Sequence, residues 1–88
     1  MEILIDDHAK ERATERGATE EEINDILRSG KLTIAKGNRL AKEKVYSFNK
    51  DWNGKTYKEK HVKVIYIIER NTIVVITVVV KYGNFIKT

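Results

Sequence analysis

The chain has 88 residues and a formal net charge of +4, and 41% of its residues are hydrophobic. This length and globular composition predict one domain over residues 1–88; the absence of cysteine excludes a disulfide scaffold and a thiolate zinc site and suits a reducing cytoplasm. The chain does not begin with a signal-peptide pattern, and the apolar run over residues 73–80 is too short to cross a bilayer, so we expect a cytoplasmic protein without membrane contact.

The first predicted helix covers residues 8–17, HAKERATERG. Asp6 or Asp7 is a suitable N-cap for it, because a short carboxylate accepts from the free N–H groups of the first turn. Gly17 is a suitable stop, because glycine readily adopts the left-handed conformation that ends many helices. Residues 2–5, EILI, precede this helix and can form a short strand at the edge of a sheet.

A second helix is predicted to begin after Thr19. Thr19 and Glu22 have the spacing of a capping box, in which each side chain accepts from the backbone N–H of the other residue. Apolar residues then recur at helical spacing and form one stripe, which consists of Ile23, Ile26 and Leu27. Gly30 ends the helix, and the short turn at Gly17 predicts that the two helices form a hairpin.

Beyond Gly30 the apolar residues follow the period of two that is typical of strands. Four strands are predicted, at residues 31–36, around KVYSFN at 44–49, at 57–68 and at 73–82. Turn residues separate these strands, and Asn53-Gly54 is the strongest turn signal. The predicted fold is therefore α+β, with an N-terminal helix hairpin packed on a four-stranded antiparallel sheet and EILI as an extra N-terminal edge strand.

The last predicted strand has apolar residues on both faces. Regular alternation places one set on one face, namely Val74, Ile76, Val78 and Val80. The second set then lies on the opposite face and consists of Ile73, Val75 and Val79. Two short helices can cover only one face of a sheet, so we expect a second copy of the chain or a cognate partner protein to cover the other.

The polar edge of the first helix is unusual. His8, Arg12 and Arg16 recur every four residues and form one stripe, beside the small residues Ala9 and Ala13. Arginine offers a fixed fork of donors for phosphate, and histidine exchanges protons near neutral pH, so the stripe predicts an anion site with a general base. In the alternative interpretation, the arginines cover apolar surface and pair with neighbouring glutamates.

The stretch HAKERATERGATEEEINDILRSG resembles the signature of a family of small prokaryotic domains of unknown function. The matching positions are His8-Ala9, Arg12, Glu15-Arg16-Gly17, Glu22-Ile23, Leu27 and Gly30. The segment KVIYIIERNTIVVITVVV is similar to the last hairpin of that family, whereas FNKDWNGKTYKEK is longer and YGNFIKT extends past the usual end. The family is grouped with RelE-like and BrnT-like toxins and with small metal-independent ribonucleases, which implies a RelE-like sheet with two helices on one side.

This resemblance implies a ribonuclease or toxin-like domain that acts on RNA without a metal or another cofactor. The predicted catalytic residues are His8 and Arg12. The predicted nucleic-acid-binding residues are Arg16, Lys44, Lys60, Lys63 and Lys81. Aromatic side chains can stack an RNA base, and the candidates are Trp52, Tyr57 and Tyr82.

Other interpretations stay open at this point. Lys60 and Lys63 also fit a solvated strand end, His61 has a structural role by default, and Trp52 is either a loop anchor or an exposed contact. The alternative functions are a non-catalytic protein-binding or nucleic-acid-binding module of the same fold and a structural role in a small homo-oligomer. No phosphate-binding glycine loop and no nucleophile motif is present, and the separation of the histidines does not predict a metal site.

Overall fold

A computed structural model describes residues 1–85 and contains two helices and five strands. Their bounds are β1 Glu2–Ile5, α1 Asp7–Arg16, α2 Glu20–Ser29, β2 Lys31–Thr33, β3 Leu40–Trp52, β4 Lys55–Glu69 and β5 Thr72–Gly83. The strands form one sheet in the order β1-β5-β4-β3-β2, in which β2 to β5 are antiparallel and β1 runs parallel to β5. The predicted α+β fold is confirmed, and the extra N-terminal edge strand is present.

Both helices begin and end where the capping residues of the sequence predict. The Asp6 side chain accepts from the backbone N–H of His8 at 2.9 Å, and Gly17 ends α1 in the left-handed conformation with a φ of 85°. Both hydrogen bonds of the Thr19–Glu22 capping box are present at the start of α2. Neither helix within residues 1–85 has the length and apolar character needed to cross a membrane.

The core lies between the two helices and one face of the sheet. The only residues that α1 buries are Ala9 and Ala13, whose small side chains let the helix lie close to β5. The larger buried side chains come from α2 and the central strands, and they are Ile23, Ile26, Leu27, Val62, Val64, Tyr66, Val75 and Val78. The helix α1 therefore packs closely over the core but contributes few large side chains to it.

A bulge in β3 changes the register of the β3–β4 hairpin. Next to the Asn53-Gly54 turn, Trp52 lies opposite Lys55, and an uninterrupted ladder would place Glu43 opposite Val64. One extra residue in β3 between Ser47 and Lys50 shifts the pairing, so that Glu43 lies opposite Lys63 instead. A shift of one residue exchanges the faces of all later side chains, and this bulge therefore decides which residues share a face with Glu43.

A second bulge lies in β5. Tyr66 pairs with Val75 and Ile65 pairs with Thr77, which leaves Ile76 as the extra residue. As a result Val75 and Val78 are both fully buried in the same core. The regular alternation predicted for this strand, with Val78 facing away from Val75, is wrong because the bulge reverses the order of faces.

We call the sheet face opposite the helices the open face. By register and alternation its residues include Lys31 and Thr33 of β2, Ala41, Glu43 and Val45 of β3, Glu59, His61, Lys63, Ile65 and Ile67 of β4, Val74, Thr77, Val79 and Lys81 of β5, and Leu4 of β1. Most of these side chains are partly buried by their neighbours within the sheet, whereas Leu4 is 58% exposed. The structure thus has one face whose apolar core is covered by the helices and a second face of mixed apolar and charged character.

An aromatic cluster packs against the turn between the helices. The Tyr82 ring stacks on Trp52 with centroids 4.7 Å apart, and Phe48 and Tyr57 lie 5.0 Å and 5.7 Å from it. Trp52 and Tyr82 also approach Gly17 so closely that an added Cβ there would lie 2.3 Å from the Tyr82 hydroxyl and 3.0 Å from the Trp52 ring. Trp52 is therefore a loop anchor that holds the β3–β4 hairpin against the helices.

We predict that Gly17→Ala lowers the free energy of unfolding by at least about 2 kcal/mol, because it combines a strained left-handed residue with overpacking against Tyr82. Gly54→Ala is the matched control, since Gly54 has a φ of 81° but, apart from its two chain neighbours, no described residue comes within 4 Å of its would-be Cβ. The control should lose only about 1 kcal/mol. Urea denaturation measures both, and equal losses would show that the close contact is unimportant.

Candidate active site on the open face

The residues predicted to form a nucleic-acid site are distributed over three places. On α1 lie His8, Arg12 and Arg16. On the helix-covered face of the sheet lie Lys44 and Lys60, and on the open face lie Lys63 and Lys81. The sheet separates the first two groups from the third, so the structure does not bring all of these residues into one site.

His8 and Arg12 lie together on the solvent side of α1. The Arg12 Nε is 3.5 Å from His8 Nε2, which is a long contact, and an Arg12 guanidinium nitrogen is 3.6 Å from Glu15. The Arg12 side chain is 43% exposed. These side chains are therefore accessible to an anion, but solvent and Glu15 weaken the local field.

Arg16 contributes to the attachment of α1 to the sheet. Its guanidinium donates to the backbone carbonyl of Val78 at 2.6 Å, and the Tyr82 hydroxyl donates to the carbonyl of Arg16 at 2.7 Å. The pairing of β1 with β5 ends at Val75. Arg16 therefore donates to a β5 carbonyl that lies beyond the end of the edge strand β1. The fork of donors predicted to bind phosphate thus already has a backbone acceptor.

Lys60 lies under α2 rather than at a solvated strand end, and that interpretation is wrong. The residue is only 6% exposed. Its ammonium donates to the carbonyl of Gly17 at 2.9 Å and forms an ion pair with Glu22 at 2.8 Å. Because a buried ammonium needs such partners, Lys60 serves the junction between the helices and is not available on the surface.

Lys44 and Tyr46 attach α2 to β3 through a shared carboxylate. The Lys44 ammonium donates to Asp25 at 2.9 Å and the Tyr46 hydroxyl donates to the same oxygen at 2.7 Å. These donors hold the pKa of Asp25 below its usual value, and burial together with Asp25 raises the pKa of Tyr46. Asp25 and Tyr46 line an open groove of about 900 Å³, but their hydrogen-bonding capacity is largely used within the fold.

The open face carries a histidine–carboxylate pair. His61 Nε2 contacts Glu43 Oε2. The two side chains are 18% and 26% exposed, so they are partly shielded from water but still accessible. Cross-strand pairing places Lys31 and Lys63 opposite Glu43 and Lys81 opposite His61, so lysine side chains flank the pair on this face.

The electrostatics of Glu43 favour the ionised carboxylate. The hydrogen bond from His61 lowers its pKa most, the hydrogen bond from Thr33 and the charge of Lys63 lower it further, and burial opposes the shift. An ionised carboxylate fixes the orientation of an imidazole that contacts it, and it stabilises the imidazolium that forms when the ring accepts a proton. The arrangement provides an oriented proton acceptor with cationic groups beside it.

Sequence reasoning identified Lys63 and Lys81 but missed the pairing of Glu43 with His61. Without the β3 bulge, Glu43 would lie opposite Val64, on the face away from His61. Within the bulge, Asn49 has a φ of 48°. Asparagine adopts this conformation in many turns, so its presence in the sequence does not by itself predict a bulge. The proximity of Glu43 and His61 therefore depends on the strand register, which cannot be read from the sequence pattern.

The model of one protein family, described as Domain of unknown function (DUF4258), matches residues 5–80. The match includes Glu43, His61 and Lys63 and stops just before Lys81. No curated protein and no solved structure matches the chain.

We predict that Arg16→Ala lowers the free energy of unfolding by about 1–2 kcal/mol, because it removes a charged hydrogen bond and leaves the Val78 carbonyl without that donor. Arg12→Ala, one turn earlier on the same helix, is the control and should change stability by less than about 0.5 kcal/mol. Thermal and urea unfolding of both variants measure the difference. Equal stability would contradict the assignment of Arg16 to the attachment of α1.

We predict that Asp25→Asn weakens the dependence of stability on acid pH. Because the folded-state pKa of Asp25 lies below its ordinary 3.8, the ionised carboxylate stabilises the fold above that pH. This contribution is lost as the pH falls through the folded pKa. Urea unfolding at about pH 7 and about pH 3 should show a smaller decrease for the variant than for the parent. An equal decrease would show that Asp25 does not contribute.

Proposed function

The chain belongs to the DUF4258 family, and we propose that it binds RNA and cleaves it without a metal ion. The observation that carries this proposal is the His61–Glu43 contact on the open face, with Lys63 and Lys81 as cross-strand neighbours. Metal-free RNA cleavage needs a base for the 2′-hydroxyl, cations for the phosphate and a proton for the leaving oxygen. These four side chains supply groups of each kind.

In the proposed reaction, the free nitrogen of His61 accepts the proton of the ribose 2′-hydroxyl while Glu43 holds the ring. The 2′-oxygen then forms a bond to phosphorus, and the bond from phosphorus to the 5′-oxygen breaks. Lys63 stabilises the negative charge on the phosphoryl oxygens, and the Lys81 ammonium gives a proton to the leaving 5′-oxygen. The products are a 2′,3′-cyclic phosphate and a 5′-hydroxyl end.

The helical motif resembles a family that is grouped with RelE-like and BrnT-like toxins, and this grouping supports the same proposal independently. It suggests a toxin-type ribonuclease that acts in the cytoplasm and is controlled by a cognate antitoxin-like protein. The positions that carry this resemblance, His8, Arg12 and Arg16, lie on the other side of the sheet from His61. A catalytic role of His8 and Arg12 on α1 remains a separate prediction, which a histidine comparison can test directly.

The competing proposal is a non-catalytic binding module. It is favoured by the apolar part of the open face, where Ile65, Ile67 and Val74 are partly buried within the sheet and Leu4 is 58% exposed. An apolar sheet face of this kind suits a second copy of the chain or a partner protein. On this proposal the charged residues of the open face would orient the partner rather than cleave RNA.

We expect His61→Ala to reduce cleavage of a single-stranded oligoribonucleotide, assayed in the presence of EDTA, by at least about 100-fold, because it removes the general base. Glu43→Gln should reduce the rate by less, since the imidazole loses only its orienting partner. His8→Ala is the competing histidine variant: it should cleave at the parental rate if His61 is the base, and it should lose activity if the reaction takes place on α1. Circular dichroism verifies that all variants are folded.

Two results would redirect the assignment. A loss of cleavage in His8→Ala but not in His61→Ala would place the reaction on α1. A parent protein that neither cleaves RNA nor shows salt-sensitive RNA binding would favour the module, and light scattering would then show whether the chain associates with a second copy.

A further inference from the structure

Phe85, which follows β5, lies against the open face next to the proposed active site. The Phe85 ring lies over Gly83, where an added Cβ would be 3.2 Å from the ring. The backbone N–H of Phe85 donates to Glu59 Oε1 at 2.6 Å. Glu59 shares the open face with His61, so these two contacts hold the aromatic ring at the edge of the candidate site.

The ring remains accessible in this position. Phe85 is 40% exposed, although an aromatic side chain of this size gains most when it is fully buried. Its centroid is 5.7 Å from that of the His61 imidazole, and the two planes are inclined by 49°. The proton acceptor of the site therefore has a fixed and partly exposed aromatic surface beside it.

We propose that Phe85 stacks the nucleobase of the nucleotide whose 2′-hydroxyl faces His61, and that the substrate is therefore single-stranded RNA; this inference rests on the proposed function. A phenyl ring offers a face for stacking but no hydrogen-bonding group. Stacking on such a ring tolerates any base, whereas the bases of a duplex are already stacked and paired. Phe85 thus favours single-stranded over double-stranded RNA and does not distinguish one base from another.

The position of Phe85 in the chain agrees with a role in specificity. The family match ends at residue 80, so Phe85 lies outside it, whereas His61, Glu43 and Lys63 lie inside. The base, its orienting carboxylate and the phosphate-binding Lys63 would then come from the matched domain, whereas the proton donor Lys81 and the stacking surface would come from the segment that follows it. The competing explanation is that Phe85 only shields the His61–Glu43 contact from water.

The test measures binding of a short single-stranded oligoribonucleotide with 2′-fluoro substitution, which lacks the nucleophile and stays intact. Phe85→Leu keeps an apolar cover over His61 but loses the aromatic face, and it should bind about 5- to 100-fold more weakly than the parent. Phe85→Tyr keeps the ring and should recover most of that loss. The same oligonucleotide annealed to its complement should bind more weakly to the parent and respond little to either variant.

The outcomes separate this inference from the proposed function. If the parent binds and cleaves RNA but Phe85→Leu binds the single strand as tightly as the parent does, the stacking role is overturned while the proposed function stands. Equal affinity of the parent for single strand and duplex would also overturn it. A parent that binds no RNA would overturn both. Weaker binding by Phe85→Leu, recovery by Phe85→Tyr and an unaffected duplex would support the inference.

Discussion

The register of the central hairpins is the constraint on which the rest of the structure depends. Two extra residues, one between Ser47 and Lys50 of β3 and the other Ile76 of β5, shift the pairing on both sides of β4. Each shift reverses the faces of the residues beyond it. Together they place Glu43 and Lys81 on the same face as His61, and they return Val78 to the core. The same two irregularities therefore build the apolar core under the helices and the charged cluster on the opposite side.

The helices are attached by polar contacts as much as by apolar packing. α1 offers only alanine to the core, and its C-terminal end is held through the Arg16 contact with Val78 and the Tyr82 contact with Arg16. α2 supplies the large apolar side chains, and lysines from the sheet reach its carboxylates and its C-terminal carbonyls; one of these is Lys42, which donates to Leu27 at 2.8 Å. Cations at the C-terminal end of a helix are favourable because of the exposed carbonyls there. This attachment explains part of the stripe formed by His8, Arg12 and Arg16 on α1, because Arg16 donates its hydrogen bond to the sheet.

Local chemistry made most of the fold predictable. The N-cap at Asp6, the capping box at Thr19 and the Asn53-Gly54 turn each depend on a few neighbouring residues, and the structure has all three. The bulges were not predictable, because they are set by how three long strands fit under two helices and leave no distinctive local pattern. For the same reason the lysines of the open face were found as charged strand residues, but their association with Glu43 and His61 was not. The burial of Lys60 was also missed, since a lysine next to a histidine at a strand end resembles a solvated position.

The segment Lys60-His61-Val62-Lys63 shows why composition alone does not locate a positively charged surface. Alternation along β4 directs Lys60 and Val62 under the helices, and it directs His61 and Lys63 to the open face. An ammonium that loses its water under a helix must be compensated inside the fold, and Lys60 has Glu22 and a carbonyl for this purpose. A lysine on the open face stays hydrated at little cost, so its charge remains available to an anion that approaches from solvent. Two lysines three residues apart therefore contribute equally to the net charge, but of these two only Lys63 contributes its charge to the solvent-accessible surface.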